Sequence, residues 1–270
     1  MLFRSVRRMK EIFSSQFGAD RAVMEDIGME AKGLEFSEYI SKESLAQQGG
    51  YGLALKGPQH DEAWLIFVDM VHNFMPSFEQ KAEALHWFPL FRTWFGLCGL
   101  CKLPWNDVIP VENKLTKEPA KVMKHVEWYA EYFSAVTGRK TVPDDIIAMS
   151  ERVYNFQRIF NLRMGFGRRE QDAIPYRAMG PVTGEEYESR ADRYDKQLQE
   201  IHGVDLQGKE TAEKVKILRK LREERYEQLK DAVYERRGWN ADGIPTPATV
   251  KRLGIDFPEV LEVLRAHGVA

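Results

Sequence analysis

A mainly α fold follows from three features of the sequence. Apolar residues recur at spacings of three and four over most of the chain, no strand-like alternation of useful length occurs, and Gly and Pro clusters separate the periodic stretches. Leu2, Val6, Met9 and Phe13 lie on one face of a helix expected over residues 1–26. That start is basic, but charges interrupt every hydrophobic pair, so a docking helix is expected and not a secretory signal. Residues 28–57 are rich in Gly and Ser and read as a loop-rich passage of the kind that carries binding groups. Beyond Pro58, Trp64, Phe67, Val71 and Phe74 share a helical face, with Asp61 and Glu62 in the first turn, which puts His60 at a helix entrance. The run EQKAEALHWFPLFRTWFGLCGLCKLPW is so dense in aromatic residues that it is expected to be largely buried, with Cys98 and Cys101 embedded in it. Helical patterns then cover His125 to Thr137 and Asp144 to Leu162, followed by a Gly/Pro-punctuated loop. Charged helices are expected over 184–200 and 211–237, the second stopping at Gly238, and a last one from Pro258 to Ala266.

The chain has 270 residues, 43% hydrophobic and 30% charged, with 39 Lys and Arg against 41 Asp and Glu. This is the profile of a globular protein with enough chain for a core that needs no covalent staple. A net charge of -2 argues against nucleic acid as the main partner. No window of about 18 or more apolar residues occurs, so no membrane span is expected and a cytoplasmic location is.

Two cysteines, Cys98 and Cys101, are the whole complement. They cannot form a disulfide framework, and they cannot complete a zinc or iron–sulfur site that needs about four ligands. A Cys-x-x-Cys pair can be a redox pair, half a zinc site or a cluster contributor, but the first lacks a βαβ setting and the second lacks another ligand pair, so two buried structural cysteines fit as well. The glycines of GLCGLC allow a bulky group to come close to the backbone. His60, at a helix start, would be held neutral by the helix dipole and could relay a proton, although a lone histidine there is as readily structural. Arg163, Arg168, Arg169 and Arg177 could bind phosphate or carboxylate, or pair with Glu170 and Asp172.

The segments EAKGLEFSEY (30–39), KGPQH (56–60), GLCKLPW (99–105), YNFQRIFNLRMGFGRRE (154–170) and YERRGWNADGIPTPATVKRLGI (234–255) resemble, in order and content, the C-terminal part of the tungsten-dependent aldehyde:ferredoxin oxidoreductase family. Through SKESLAQQGGY, KGPQHDEAWLIF and FRTWFGLCGLCKLPWND the chain is most similar to the catalytic subunits of class II, ATP-independent benzoyl-CoA reductases. The resemblance implies the helical C-terminal domains of that fold, with residues 1–140 as a cofactor-facing region carrying His60 and the GLC motif and 141–270 as a C-terminal helical region.

It also implies a tungsten bis-pyranopterin and an adjacent [4Fe-4S] cluster. Cys101 matches the family's fourth cluster ligand, with Cys98 the alternative that the doubled GLC creates. Gly99, Leu100 and Lys102 match the backbone that runs along a pterin, and His60 matches a histidine thought to transfer protons near the metal. The family's usual aspartate three residues before the motif glycine is replaced by Gly96, or by Thr93 if Cys98 is the ligand. The pterin-binding domain and the other three cluster cysteines are missing from the sequence. The resemblance therefore implies a partner subunit supplying them, an iron–sulfur electron-transfer subunit and a small-molecule substrate, either an aromatic acyl-CoA to be reduced or an aldehyde to be oxidised. A non-catalytic helical scaffold is the remaining alternative.

Overall fold

The structure, a computed structural model, describes residues 5–37, 41–101 and 123–269. It is mainly helical, as expected; among the described residues the only sheet is a hairpin of two short strands, β1 (Glu30–Ala31) and β2 (Leu34–Glu35). Before it come α1 (Val6–Gln16) and α2 (Arg21–Ile27), two helices where one was expected. Their boundary is set by Asp20, whose carboxylate accepts the N–H groups of Ala22 and Val23. The face of α1 is also not the expected one: Lys10 and Ile12 are buried, and Met9 and Phe13 point outward. Lys10 goes in because Glu25 and Glu30 lie 2.5 and 3.4 Å from its Nζ.

Three long helices form the frame. They are α4 (Phe78–Leu97), α6 (Pro143–Arg163) and α9 (Thr211–Arg237), with α4 packed on both of the others. The central core joins them to α3 (Leu45–Gly52) through Ala46, Leu85, Phe88, Tyr154, Leu229 and Val233. A second cluster, with Ile159, Leu162, Val250 and Leu264, ties the end of α6 to α10 (Pro247–Arg252) and α11 (Pro258–Ala266). A third binds the last turns of α4 to α5 (Met123–Thr137) through Phe91, Trp94, Phe95, Val126 and Tyr129. The region expected as one charged helix over 184–200 is instead α7 (Gly184–Glu188) and α8 (Ala191–Lys196), the latter continuing as a π turn, Gln197–Ile201.

Pro89 lies in the middle of α4 and has no N–H, so the carbonyl of Leu85 loses its helical partner. Arg237, at the end of α9, supplies the missing donor: its Nη2 reaches Leu85 O at 3.0 Å. Next to it, Arg236 bonds Glu79 and Glu83 on the same face of α4, and Trp239 Nε1 donates to Asn155 of α6 at 2.7 Å. The RRGWN motif is thus the clamp between the three long helices.

A second clamp is a buried hub around Asp172. Its carboxylate accepts two bonds from Arg158, at 3.0 and 2.8 Å, and one from Tyr234 at 2.6 Å, while Lys32 of the hairpin turn approaches to 3.0 Å. Burial by itself would raise the Asp172 pKa, but Arg158 and Lys32 hold it well below the usual carboxylate range. The lysine of KGLE and the aspartate after the RMGFGRRE loop are therefore spent on joining the hairpin, α6 and α9.

Candidate functional site

His60 lies in a turn, not at a helix entrance. Residues 60–62 form the turn, 63–65 are non-helical, and the only helical element that follows is a short π turn, Phe67–Val71. The expected helix is prevented by Gln47 of α3, whose buried amide takes the backbone: Oε1 accepts from Leu65 N at 2.8 Å and Ile66 N at 3.0 Å, and Nε2 donates to Ala63 O at 2.9 Å. Phe67 and Val71, expected on a core-facing stripe, are exposed.

The loop bearing His60 is closed at its base by Glu62. This buried carboxylate accepts from Leu55 N at 3.1 Å and from the Tyr154 hydroxyl at 2.8 Å, and Asn161 donates to Leu55 O at 2.8 Å. Burial pushes the Glu62 pKa up, against the Tyr154 and Leu55 bonds. At the tip, Ser37 N donates to Pro58 O and Ser37 Oγ sits 3.0 Å from His60 Nδ1. The imidazole stands edge-on to Trp64, with ring centres 4.9 Å apart, and Trp64 stacks on Phe67 at 6.2 Å. The His60 pKa is lowered, chiefly by burial; Asp61 opposes this, and Arg92 and Lys56 add to it. The shift towards the neutral form expected from a helix dipole is found, but its cause is desolvation and two nearby cations.

The expected burial of the cysteine motif does not hold. Burial of α4 ends at Phe95, and every residue from Gly96 to Cys101 is exposed, both thiols included. Gly99, with φ at +67°, ends the helix in the left-handed region: its N–H bonds Gly96 O, and Leu100 N bonds Phe95 O at 2.9 Å. Gly99 thus has a structural reason. Gly96 has none among the described residues, since a Cβ there would meet nothing within 4 Å and its backbone is ordinary helix. Leu97 and Leu100 project as exposed apolar side chains around the thiols. Desolvation raises the Cys98 pKa and favours its thiol form.

Arg92 joins the two features. It is buried in α4, and its Nε donates to Asp61 O at 2.7 Å, which fixes the His60 turn against the helix. Cys98 follows six residues later, about 9 Å of axial rise. Arg92 thus ties the His60 turn to the C-terminal half of α4, the helix that Gly99, Leu100 and Cys101 follow; Lys102 lies outside the described residues. Among the described residues, no group of three or more His, Cys, Asp or Glu side chains could hold a metal ion. The exposed tip fits one corner of a cluster whose other ligands come from elsewhere, and it does not fit a complete site.

The arginines around residue 170 disperse. Arg169 bonds Glu227 and Asp231, Arg168 bonds the ring of His267, Arg177 bonds Asp26, and Asp172 is taken by Arg158. Arg169, Arg177 and Arg158 are in structural ion pairs and Arg168 in a hydrogen bond, with partners other than those expected from sequence neighbours. Ser37, Glu62, Arg92 and Asn161, which position the His60 loop, were not singled out by the sequence. Glu62 is only two residues from His60, but the helical pattern disguised it as a first-turn acid.

No described helix is long and apolar enough to cross a membrane. No curated protein matches the chain. A family model described as "Aldehyde ferredoxin oxidoreductase, domains 2 & 3" matches residues 5–255, almost the whole chain, and includes the His60 loop, the cysteine tip and both clamps. The chain belongs to the aldehyde ferredoxin oxidoreductase family and corresponds to domains 2 and 3 of its members.

Proposed function

We propose that this chain is the helical component of a tungsten–pterin oxidoreductase, closing a cofactor site that a partner subunit completes, and that it serves low-potential reduction of an aromatic acyl-CoA. The observation that carries the reading is the tip of α4: two exposed thiols and a glycine without a structural reason, within about 9 Å of axial rise of the arginine that fixes a neutral histidine. Cys101 would be one ligand of a [4Fe-4S] cluster, with Gly99, Leu100 and Lys102 along the pterin and Cys98 beside it. The partner would bring the remaining cysteines, and an iron–sulfur subunit the electrons. When bound, the metal and cluster supply low-potential electron transfer.

The chain's own residues have simpler tasks. His60 would relay a proton, taking one up at its unprotonated ring nitrogen and then releasing one, so that it cycles between the neutral ring and the imidazolium. Ser37 Oγ, 3.0 Å from Nδ1, can donate or accept, so it supports either imidazole tautomer. Glu62, Asn161 and Arg92 hold the loop in place. Trp64 and Phe67 provide an aromatic wall beside the imidazole, which favours a flat ring as substrate. Oxidation of an aldehyde to a carboxylic acid is the second reading, favoured by the name of the matched family.

The test uses the complex purified anaerobically with its natural partners. Tungsten and iron are measured, and turnover is compared on aromatic CoA thioesters and simple aldehydes. Cys101→Ser is expected to lower the iron content. His60→Ala should leave tungsten and iron unchanged but cut turnover by about 10²-fold or more. Absence of both metals from the native complex would point to a non-catalytic scaffold, and full activity of the His60 variant would remove the role assigned to it.

A further inference from the structure

On a different part of the molecule, a cavity of about 500 Å³ opens between the start of α3, the loop before α4, the π turn after α8 and the middle of α9. Its charges are unevenly matched. Lys42, Lys81 and Lys196 each have a carboxylate of their own, in Glu186, Asp69 and Glu200. The three arginines of the cavity, Arg193, Arg222 and Arg225, face one carboxylate between them, Glu43. A single oxygen, Glu43 Oε2, serves both Arg222 at 3.0 Å and Arg193 at 3.3 Å, while Oε1 is occupied by the Tyr194 hydroxyl at 2.8 Å. Among the described residues, Arg225 has no carboxylate; its guanidinium lies over the Phe78 ring at 4.1 Å and reaches only the Gln228 amide oxygen.

The cavity thus holds two positive charges in excess. His202 in its wall responds to that field: burial lowers its pKa, and Arg225 and Arg222 lower it further. Arg193 and Arg225 remain solvent-accessible, so their spare N–H donors can reach an incoming ligand. Guanidinium forks match the oxygens of phosphate in pairs, and a cavity of this volume accepts a ligand of nucleotide size. The apolar faces of Leu45, Phe78 and Leu221 offer a seat for a flat ring beside the charges.

We propose that this cavity binds a diphosphate group, held by Arg193 and Arg225 on a base fixed by Arg222 and Glu43. The proposal is independent of the reaction assigned to the His60 region.

The test is calorimetric titration of the full chain with inorganic pyrophosphate and, separately, with ADP, at about 0.15 M salt, where diffuse charge effects are screened. Saturable one-to-one binding is expected, weakened roughly tenfold in Arg193→Ala and again in Arg225→Ala, with no change in Lys251→Ala. The ring resonances of His202, assigned through His202→Gln, should shift on binding, and those of His267 should not. ADP binding at least about tenfold tighter than pyrophosphate supports a diphosphate carried on a nucleotide-like ligand; equal affinity supports the free anion. Absence of saturable binding of either probe, or binding unaltered in both arginine variants while their thermal unfolding matches the parent, overturns the proposal.

Discussion

The ends of α4 and α9 close in the same way and are used in opposite ways. Each helix stops with paired backbone bonds around a left-handed glycine, Gly99 in one and Gly238 in the other, and each carries one of the chain's most distinctive motifs. At the end of α9, Arg236, Arg237 and Trp239 are all bonded inside the chain, to Glu79 and Glu83, to Leu85 O and to Asn155. At the end of α4, the side chains of Leu97, Cys98, Leu100 and Cys101 lie exposed. Among the described residues, the side chains at the end of α9 are consumed by internal contacts and those at the end of α4 are not. Both motifs carry family resemblance equally well, so resemblance by itself does not separate them; contacts do.

The comparison can be broken most severely at Trp239. Its removal in Trp239→Ala takes a buried ring from the central core and leaves the Asn155 amide oxygen without its partner, so denaturant unfolding should show a loss of about 3–5 kcal/mol. A loss below 1 kcal/mol would mean that the α9 junction is not the clamp described.

The same junction should be sensitive to acid through His86. Burial first, and then Arg237, lower the pKa of His86 to about 4 in the fold, against about 6.5 unfolded. Between these values the unfolded chain binds the extra proton, so stability falls as pH drops from about 6.5 to 4, by on the order of 3 kcal/mol in full. Stability measured against pH should flatten in that window for His86→Gln.

The smallest effects belong to the α4 tip, and their signs differ. Gly99→Ala should cost about 1 kcal/mol in the isolated chain, because a side chain enters the left-handed region. Gly96→Ala should be neutral or stabilising by about 0.5–1 kcal/mol, as a better helix former with open space around it. In the assembled complex, Gly96→Ala should nevertheless lower the iron content. Unchanged iron would show that nothing approaches this glycine.

Two of the long helices, α6 and α9, were legible because their apolar spacing alone defines them, as with Leu218, Leu229 and Val233 in α9, whereas α4, apolar nearly all round and holding Pro89, was read only as a buried run. α3 was not legible, since LAQQGGYG carries three glycines in eight residues and is held by burial: a methyl group on Gly49 or Gly50 would run into Leu85 or Ala63. The turn at His60 was illegible for a related reason. Trp64, Phe67, Val71 and Phe74 do repeat at helical spacing, but the side chain of Gln47 claims the same backbone groups from 16–19 residues away, and no local window contains that competition. The cysteine motif failed in the opposite direction, because an apolar sequence was taken for a buried one, whereas burial along α4 stops at Phe95. For the candidate site, the sequence picked out His60 and the GLC repeat, while the groups that fix their placement, Ser37, Glu62 and Arg92, act across the fold and left no local sign.

The donor that Arg237 lends to Leu85 joins residues 152 positions apart. Until α9 docks, the stretch of α4 around Pro89 lacks a backbone bond, and its later turns, ending in the thiols, are joined to the helix start only through that weak point. During synthesis the thiols leave the ribosome long before Arg237 does, so they are presented in their final geometry only once nearly the whole chain has been made. Amide hydrogen exchange at residues 90–97 should therefore slow in step with that of α9.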